Sequence, residues 1–123
     1  MGARRFEDLD VWQCARLYCA EIGRVNRRTA FAHHRPFSER MNKTSLSIME
    51  NIAEGFERES RREFAQFLRI ARGSTGEARS QLYAALDRQL LAPDEFKKLF
   101  DLVCRIGQML RRLRDSLGEP PPK

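Results

Sequence analysis

The chain contains few of the residues that metal binding and acid–base catalysis most often use. Its 123 residues include two histidines, the adjacent His33 and His34, and three cysteines. No Cys-x-x-Cys spacing occurs, and no glutamate has a histidine three residues after it. The sequence therefore predicts neither a zinc site nor a di-iron site within a helical bundle. Cys14, Cys19 and Cys104 are instead expected to be reduced and partly buried.

Long apolar runs are also missing from the sequence. None approaches the length of a membrane span, and no apolar core of a signal peptide follows the first residues. We therefore expect a cytoplasmic protein that does not associate with membranes. With 41% hydrophobic and 33% charged residues, the chain has the composition and length of one folded domain with its own core.

The alternating pattern of a β-strand is absent, whereas apolar residues recur at helical spacing through most of the chain. This pattern predicts an all-α protein, built as an antiparallel up-down four-helix bundle over residues 1–117. The predicted helices span residues 8–27, 38–56, 60–89 and 93–117. Residues 118–123, which include three consecutive prolines, are predicted to form a flexible tail.

Capping residues set the predicted helix boundaries. Ser38 is a candidate N-cap for the second helix, after a loop at residues 29–36. Ser60 and Glu63 have the spacing of a capping box and should begin the third helix. Pro93 suits the first turn of the fourth helix, because a proline there lacks only an N–H that would have no helical partner.

Three glycines fall in the second and third predicted helices. Gly73 and Gly76 lie inside the third helix, where each destabilises the helix by about 1 kcal/mol relative to alanine. We expect the close approach of another backbone to compensate. Gly55, near the end of the second predicted helix, should either end that helix or only weaken it.

Several small polar and acidic residues fall on helix faces that should be buried. On the second predicted helix Ser47, Asn51 and Glu54 follow i, i+4, i+7 spacing, and Ser74 and Glu77 are expected to face them from the third. One interpretation is a polar pocket with a raised carboxylate pKa. The other, which we favour, is a hydrogen-bonded network that fixes helix register or lines a subunit contact. No nucleophile with a base and an orienting group accompanies them, so the sequence predicts neither catalysis nor a cofactor.

The fourth predicted helix and part of the first carry more apolar residues than one bundle needs. An ordinary surface helix has an apolar stripe about 100° wide, and the stripe on the fourth helix is roughly twice that. Either the protein is a monomer with scattered apolar surface, or it self-associates, which we favour. The candidate interface residues are Trp12, Leu17, Phe100, Leu102 and Met109.

The formal net charge of +6 comes mostly from arginine, which suits the recognition of phosphate and carboxylate. An acidic partner is therefore expected, either RNA, DNA or an acidic protein surface, although basic helix faces can also be merely solvated. No small-molecule substrate is expected. The candidate nucleic-acid-binding residues are Arg24, Arg27, Arg28, Arg58, Arg61, Arg62, Arg69, Arg72, Arg79, Lys98, Arg105 and Arg112.

Several motifs appear in order at consistent spacing. The chain opens with Phe6-Glu7-Asp8-Leu9-Asp10-Val11-Trp12, which has the form F-x-x-L-x-V-W. Ser47-Ile48 precedes Asn51-Ile52-Ala53-Glu54-Gly55, and the third helix carries Phe64, Phe67-Leu68, Ile70-Ala71, Gly73-Ser74 and Glu77. In these motifs the chain resembles the four-helix-bundle proteins encoded in intervening sequences of bacterial 23S ribosomal RNA genes. It departs from them at Gln89, where the family often has glycine.

The resemblance implies a homopentamer, arranged as a ring or barrel around a central channel. The resembled family is related to the accessory variability determinant of diversity-generating retroelements, which has the same fold and assembly. That relative partners a reverse transcriptase and binds nucleic acid. Two hypotheses follow: a non-catalytic homopentameric scaffold that binds nucleic acid, with RNA favoured, or a protein–protein interaction module without a nucleic-acid role. The first allows a reverse transcriptase as a further partner.

Overall fold

The computed structural model describes residues 2–118, and these residues are almost entirely helical. A short 3-10 turn at Phe6–Asp8 precedes the first helix. The helices are α1 (Asp10–Asn26), α2 (Thr29–Ala32), α3 (Arg35–Glu57), α4 (Arg61–Asp87) and α5 (Pro93–Ser116). No strand occurs within the described range, so the predicted all-α class is confirmed. Of the predicted flexible tail, residues 119–123 lie outside the described residues.

Three of the four long helices begin and end within two residues of the predicted positions. The side chain of Ser60 accepts a hydrogen bond from the backbone N–H of Glu63 at 3.2 Å, which is one half of the predicted capping box. Pro93 is the first residue of α5. These ends agree because each depends on a local signal that lies within one helical turn.

The prediction that Ser38 caps the second long helix is wrong, because α3 begins three residues earlier, at Arg35. Pro36 lies in the first turn, where its fixed φ favours the helix and its missing N–H removes no helical bond. Ser38 is buried inside the helix, and its hydroxyl donates to the Arg35 carbonyl at 3.2 Å. The predicted loop at residues 29–36 also contains the single helical turn α2.

The four long helices pack in a ring in which α1 contacts α3, α3 contacts α4, α4 contacts α5 and α5 contacts α1. Neighbours run antiparallel, because the end of one lies beside the start of the next. The side-chain amide of Asn26, at the end of α1, donates to the Ser38 carbonyl near the start of α3. Arg61 at the start of α4 donates to the Leu117 carbonyl just after α5. The contacts therefore describe an up-down bundle.

One apolar core lies inside this ring, and every helix contributes to it. Phe31 anchors the short α2 in the core, which explains why a four-residue turn keeps a fixed position. Fully burying a side chain of this size stabilises the fold by about 1.5–3 kcal/mol. The largest buried side chains include Tyr18, Ile22, Phe31, Met41, Ile48, Ile52, Leu68, Leu82, Ile106 and Leu110.

The glycines that permit close helix packing are not the two that the sequence suggested. An added Cβ would meet no atom within 4 Å at Gly73, and at Gly76 it would meet only the Arg79 guanidinium, so no other backbone approaches either residue among those described. Gly55 neither ends α3 nor only weakens it. It is buried against α4, and a Cβ there would lie 2.6 Å from the Cβ of Phe67.

Gln89 adopts a left-handed conformation with φ of 60° at the end of α4. The Leu90 N–H reaches back to the Ala85 carbonyl at 2.9 Å, which closes the helix end. A left-handed residue with a side chain is disfavoured by roughly 1–2 kcal/mol. This is the position where the resembled family often has glycine, and burial of Leu90 and Leu91 holds the chain in this path.

The contrast between Gly55 and Gly73 predicts opposite effects of the same substitution. Gly55→Ala should lower the free energy of unfolding by roughly 1–3 kcal/mol, because the new methyl group forces α3 and α4 apart. Gly73→Ala should raise it by about 1 kcal/mol, because the helix gains propensity and the methyl group meets nothing. Urea denaturation of both variants provides the measurement, and a stabilised Gly55→Ala protein would contradict the close approach.

Candidate functional site

A groove of about 330 Å³ runs along the surface between α4 and α5. Its two walls come from antiparallel helices, so residues far apart in sequence face each other across it. We refer to it as the α4/α5 groove. The residues that define it are Arg72, Thr75 and Arg79 on α4, and Gly107, Gln108 and Arg111 on α5.

Helical spacing explains why these residues share one edge of each helix. Arg72 and Arg79 are seven residues apart, which places them on the same side of α4 about 10 Å apart along its axis. Between them, Thr75 lies against α5, where a Cβ added to Gly107 would come within 3.2 Å of its hydroxyl oxygen. The Thr75 hydroxyl donates to the Arg72 carbonyl at 2.6 Å, so it turns back to its own helix. Gly107 thus allows the two walls to approach.

The positive charge of the groove is not neutralised within the described part of the chain. None of the described residues that line it carries a carboxylate. Arg72, Arg79 and Arg111 make no ion pair with any residue in the range 2–118. All three are exposed. Three guanidinium groups without an ion pair around one concave surface give it the chemistry to attract phosphate or carboxylate groups.

Three acidic residues lie together away from the groove, on an exposed surface of α3. Glu50, Glu54 and Glu57 line this surface together with Ala53 and Arg58. Arg58 donates to the Glu54 carboxylate at 2.9 Å and to that of Glu63 at 3.2 Å. The protein therefore has an acidic surface on α3 and a basic groove between α4 and α5.

Some of the predicted nucleic-acid-binding residues are already engaged inside the protein. Arg24 pairs with Glu21, Arg28 pairs with Glu95, and Arg58 pairs with two glutamates. Arg61 donates to a backbone carbonyl rather than pairing with an acid. These contacts reduce the positive charge that a phosphate would meet, although exposed pairs are individually weak.

The remaining predicted cations lie on several surfaces. Arg69 is half-buried on α4. The three candidates on α5 are spaced seven residues apart, at Lys98, Arg105 and Arg112. They lie outside the α4/α5 groove, which Arg111 lines instead. Lys98 lines a separate surface between α1 and α5 that also contains Glu21, Asp94 and Glu95. The predicted cations that are exposed without an ion pair in the described chain, apart from Arg72 and Arg79, are Arg27, Arg61, Arg62, Lys98, Arg105 and Arg112.

The predicted polar network forms only in part. The hydroxyl groups of Ser47 and Ser74 hydrogen bond at 3.0 Å, which joins α3 to α4. The side-chain amide of Asn51 donates to the Ser47 carbonyl at 2.8 Å and to its hydroxyl at 3.1 Å. Glu54 is not part of this cluster, because its carboxylate turns to Arg58, and Glu77 is exposed on α4. The cluster therefore fixes helix register without a carboxylate.

Four of the five predicted interface residues are largely occupied within the monomer. Trp12 packs edge-on against Phe6, with ring centroids 5.0 Å apart, and Phe100 packs against neighbouring rings. Leu102 and Met109 also pack against the core. Leu17 alone of the five is classed as exposed. The other large apolar side chains that are exposed within residues 2–118 are Leu46, Ile70 and Tyr83, which the sequence did not indicate.

The three cysteines are free and partly buried, as predicted. Cys104 lies in the wall of the α4/α5 groove. Over residues 2–118, His, Cys, Asp and Glu side chains do not gather in a group of three that could hold a metal ion. Within the same range no helix has both the length and the apolar character needed to cross a membrane.

The fold and the site together define an all-α bundle protein with a basic groove between its last two helices. The profile of one family, described as 23S rRNA-intervening sequence protein, matches residues 7–112. The chain therefore belongs to this family, and the family prediction is confirmed. A comparison with curated proteins finds no match.

A solved structure supports the fold independently. It is the crystal structure of a protein of unknown function from the S23 ribosomal protein family of Bacteroides thetaiotaomicron VPI-5482. The alignment has a TM-score of 0.77 and 17% sequence identity, and it covers 85% of this chain and 97% of that chain. At this identity the likeness shows a shared fold.

The pair between Arg28 and Glu95 predicts a pH-dependent contribution to stability. The hydrogen bonds from Arg28, helped by one from the Ala92 N–H, hold the pKa of the Glu95 carboxyl at about 2, below its usual 4.5. Because the folded pKa is lowered, the contribution is fully present above pH 4.5 and is lost as the pH falls towards 2. Glu95→Gln should lower the free energy of unfolding at pH 7 by about 1 kcal/mol, since the pair is partly exposed.

Denaturation of the wild type and Glu95→Gln at pH 7, 4 and 2.5 provides the measurement. The difference between the two proteins should shrink as the pH falls. Asp101→Asn removes the more exposed pair with Lys97 and should leave the stability nearly unchanged at every pH. A Glu95→Gln difference that stays constant from pH 7 to 2.5 would show that the ion pair is not its cause.

Proposed function

We propose that the protein is a non-catalytic homo-oligomeric scaffold that binds nucleic acid, with RNA favoured, through the α4/α5 groove. The observation that carries this proposal is the group of Arg72, Arg79 and Arg111, exposed around one groove whose described lining has no carboxylate. Arginine matches phosphate because its planar guanidinium can donate two parallel hydrogen bonds.

The energetics favour a polyanion over a single small anion. Each phosphate that an arginine neutralises releases condensed counterions, so affinity grows with the number of contacts and falls with salt. One groove offers three such contacts and would bind weakly alone. In an oligomer the same groove repeats on every subunit, and several weak contacts to one nucleic acid then sum through multivalency.

The assembly we propose is a homopentamer. Its subunit count rests on the family resemblance, and its physical support is the apolar surface that the monomer leaves open. Leu17 on α1 and Ile70 on α4 are each 52% exposed, and Leu46 on α3 is 44% exposed. One setting that fits the proposal, by resemblance alone, is an accessory role beside a reverse transcriptase in a diversity-generating retroelement.

The same apolar residues favour a second candidate function, a protein–protein interaction module with no nucleic-acid role. In that case a partner protein would dock on Leu17, Leu46 or Ile70, and binding would depend little on salt because apolar burial is not screened. The two candidates therefore differ in their salt dependence.

Removal of the groove arginines should weaken nucleic-acid binding. Arg72→Ala/Arg79→Ala/Arg111→Ala is expected to lower affinity for structured RNA at least about tenfold at low salt, and to make the negative slope of log affinity against log salt shallower by about 2. Fluorescence anisotropy titrations at several salt concentrations, on protein freed of bound nucleic acid, measure both quantities.

A control variant with the same change in net charge distinguishes binding at the groove from attraction by the overall positive charge of the protein. Arg35→Ala/Arg40→Ala/Lys43→Ala removes three exposed cations from α3, and these lie outside the groove. It should keep most of the affinity. Equal losses in the two variants would show that binding is spread over the whole basic surface, and a wild type that ignores RNA at every salt concentration would favour the interaction module.

Light scattering coupled to size-exclusion chromatography tests the assembly. The expected result is a particle with five times the mass of the chain, both with and without RNA. Leu17→Ser/Ile70→Ser should reduce this mass, because both substitutions remove apolar surface that a partner subunit would bury. A wild type that elutes with the mass of one chain would contradict the homo-oligomeric scaffold.

A further inference from the structure

Three aromatic rings form a cluster where α4 and α5 continue beyond the groove. Tyr83 on α4 lies 5.1 Å from Phe96 and 5.2 Å from Phe100, measured between ring centroids. Phe96 and Phe100 are themselves stacked with an interplanar angle of 27° and centroids 5.1 Å apart. We call these three residues the aromatic platform.

The platform and the α4/α5 groove belong to one continuous surface. Tyr83 follows Arg79 by four residues and so lies one turn, about 6 Å, further along the same edge of α4. Phe100 precedes Cys104, which lines the groove, by the same interval on α5. From Arg72 to Tyr83 the axial distance is about 16 Å, so the combined surface can accommodate a few nucleotides of an extended strand.

The exposure of Tyr83 distinguishes it from the two phenylalanines. Both phenylalanines are partly buried and pack against the core, whereas Tyr83 is 52% exposed. Its ring is therefore held in place by the rings beside it while half of its surface stays open. A supported aromatic ring of this kind offers a stacking surface to a nucleobase without first having to be ordered.

We propose that the α4/α5 groove and the aromatic platform together bind single-stranded nucleic acid, with one base stacked on Tyr83 and the neighbouring phosphates held by Arg79, Arg72 and Arg111. This inference rests on the proposed function and deepens it. A duplex keeps its bases stacked on one another, so only an unpaired strand can present a base to Tyr83.

The positions of the charges give the strand a direction. Arg72, Arg79 and Arg111 are exposed along the groove, whereas Asp87 lies one turn beyond Tyr83 on α4. Asp101, beside Phe100, is paired with Lys97 at 2.7 Å and so adds little negative charge. The strand therefore runs along the arginines and places a base on Tyr83 at the end of the groove.

Two substitutions at one position separate stacking from apolar packing. Tyr83→Leu keeps an apolar side chain against the two phenylalanines but loses the aromatic face, whereas Tyr83→Phe keeps the face. The probe is a short single-stranded oligonucleotide with one 2-aminopurine, whose fluorescence is quenched when the base stacks, and the comparison ligand is the same sequence as a duplex.

The wild type and Tyr83→Phe should bind the single strand more tightly than the duplex and quench the probe. Tyr83→Leu should lose both the quenching and about tenfold in affinity for the single strand. If Tyr83→Leu binds and quenches like the wild type while the triple arginine variant does not, the stacking inference is overturned and the phosphate groove remains. If the wild type binds neither ligand, the proposed function fails together with the inference.

The same proteins are compared by light scattering. An unchanged particle mass in Tyr83→Leu is expected, because Tyr83 faces nucleic acid and not another subunit. A reduced mass would assign Tyr83 to a subunit contact and overturn the inference.

Discussion

The close approach of α4 to both of its neighbours is the constraint on which the rest of the structure depends. At Gly55 the backbone of α3 comes so near to Phe67 that no side chain would fit between them, and at Gly107 the backbone of α5 lies against Thr75. These two contacts fix α4 in position and rotation. The rotation of α4 decides which of its residues lie beside α5. The groove therefore depends on the contacts at Gly55 and Gly107, although no groove arginine takes part in them.

The sequence predicted the number, order and approximate length of the long helices, since apolar periodicity and capping residues are local signals. It failed where two local signals competed. Pro36 and Ser38 both mark helix starts, and the proline, which is earlier, determined the start of α3. The sequence also failed to predict which glycine lies close to another helix. Gly55 has the side chain of Phe67 against it, whereas Gly73 has no atom of another helix nearby, and the sequence does not reveal this difference. Gln89 shows a third limit, since burial of the following leucines imposes a conformation that its own propensity disfavours.

The sequence predicted the site residues that lie along one helix, but not those that come together only where two helices pack. Arg72 and Arg79 were among the predicted cations because both fall outside the apolar face of α4. Arg111 was missed because the heptad row of Lys98, Arg105 and Arg112 gave a stronger pattern on α5, although it faces away from α4. Tyr83 was missed for a related reason, since its position beside Phe96 and Phe100 exists only after α4 and α5 turn back on each other. An estimate of relative helix rotation would have been needed to find either residue.

The separation of the acidic surface on α3 from the basic groove has a consequence for how the molecule meets a partner. A body with opposite charges on different sides carries an electric dipole moment across its helices. The field of a distant polyanion would exert a torque on this moment and turn the groove towards the polyanion and the glutamates of α3 away from it before any contact forms. Encounters would thus be oriented productively more often than chance allows, and this orienting effect would fade as the Debye length shortens.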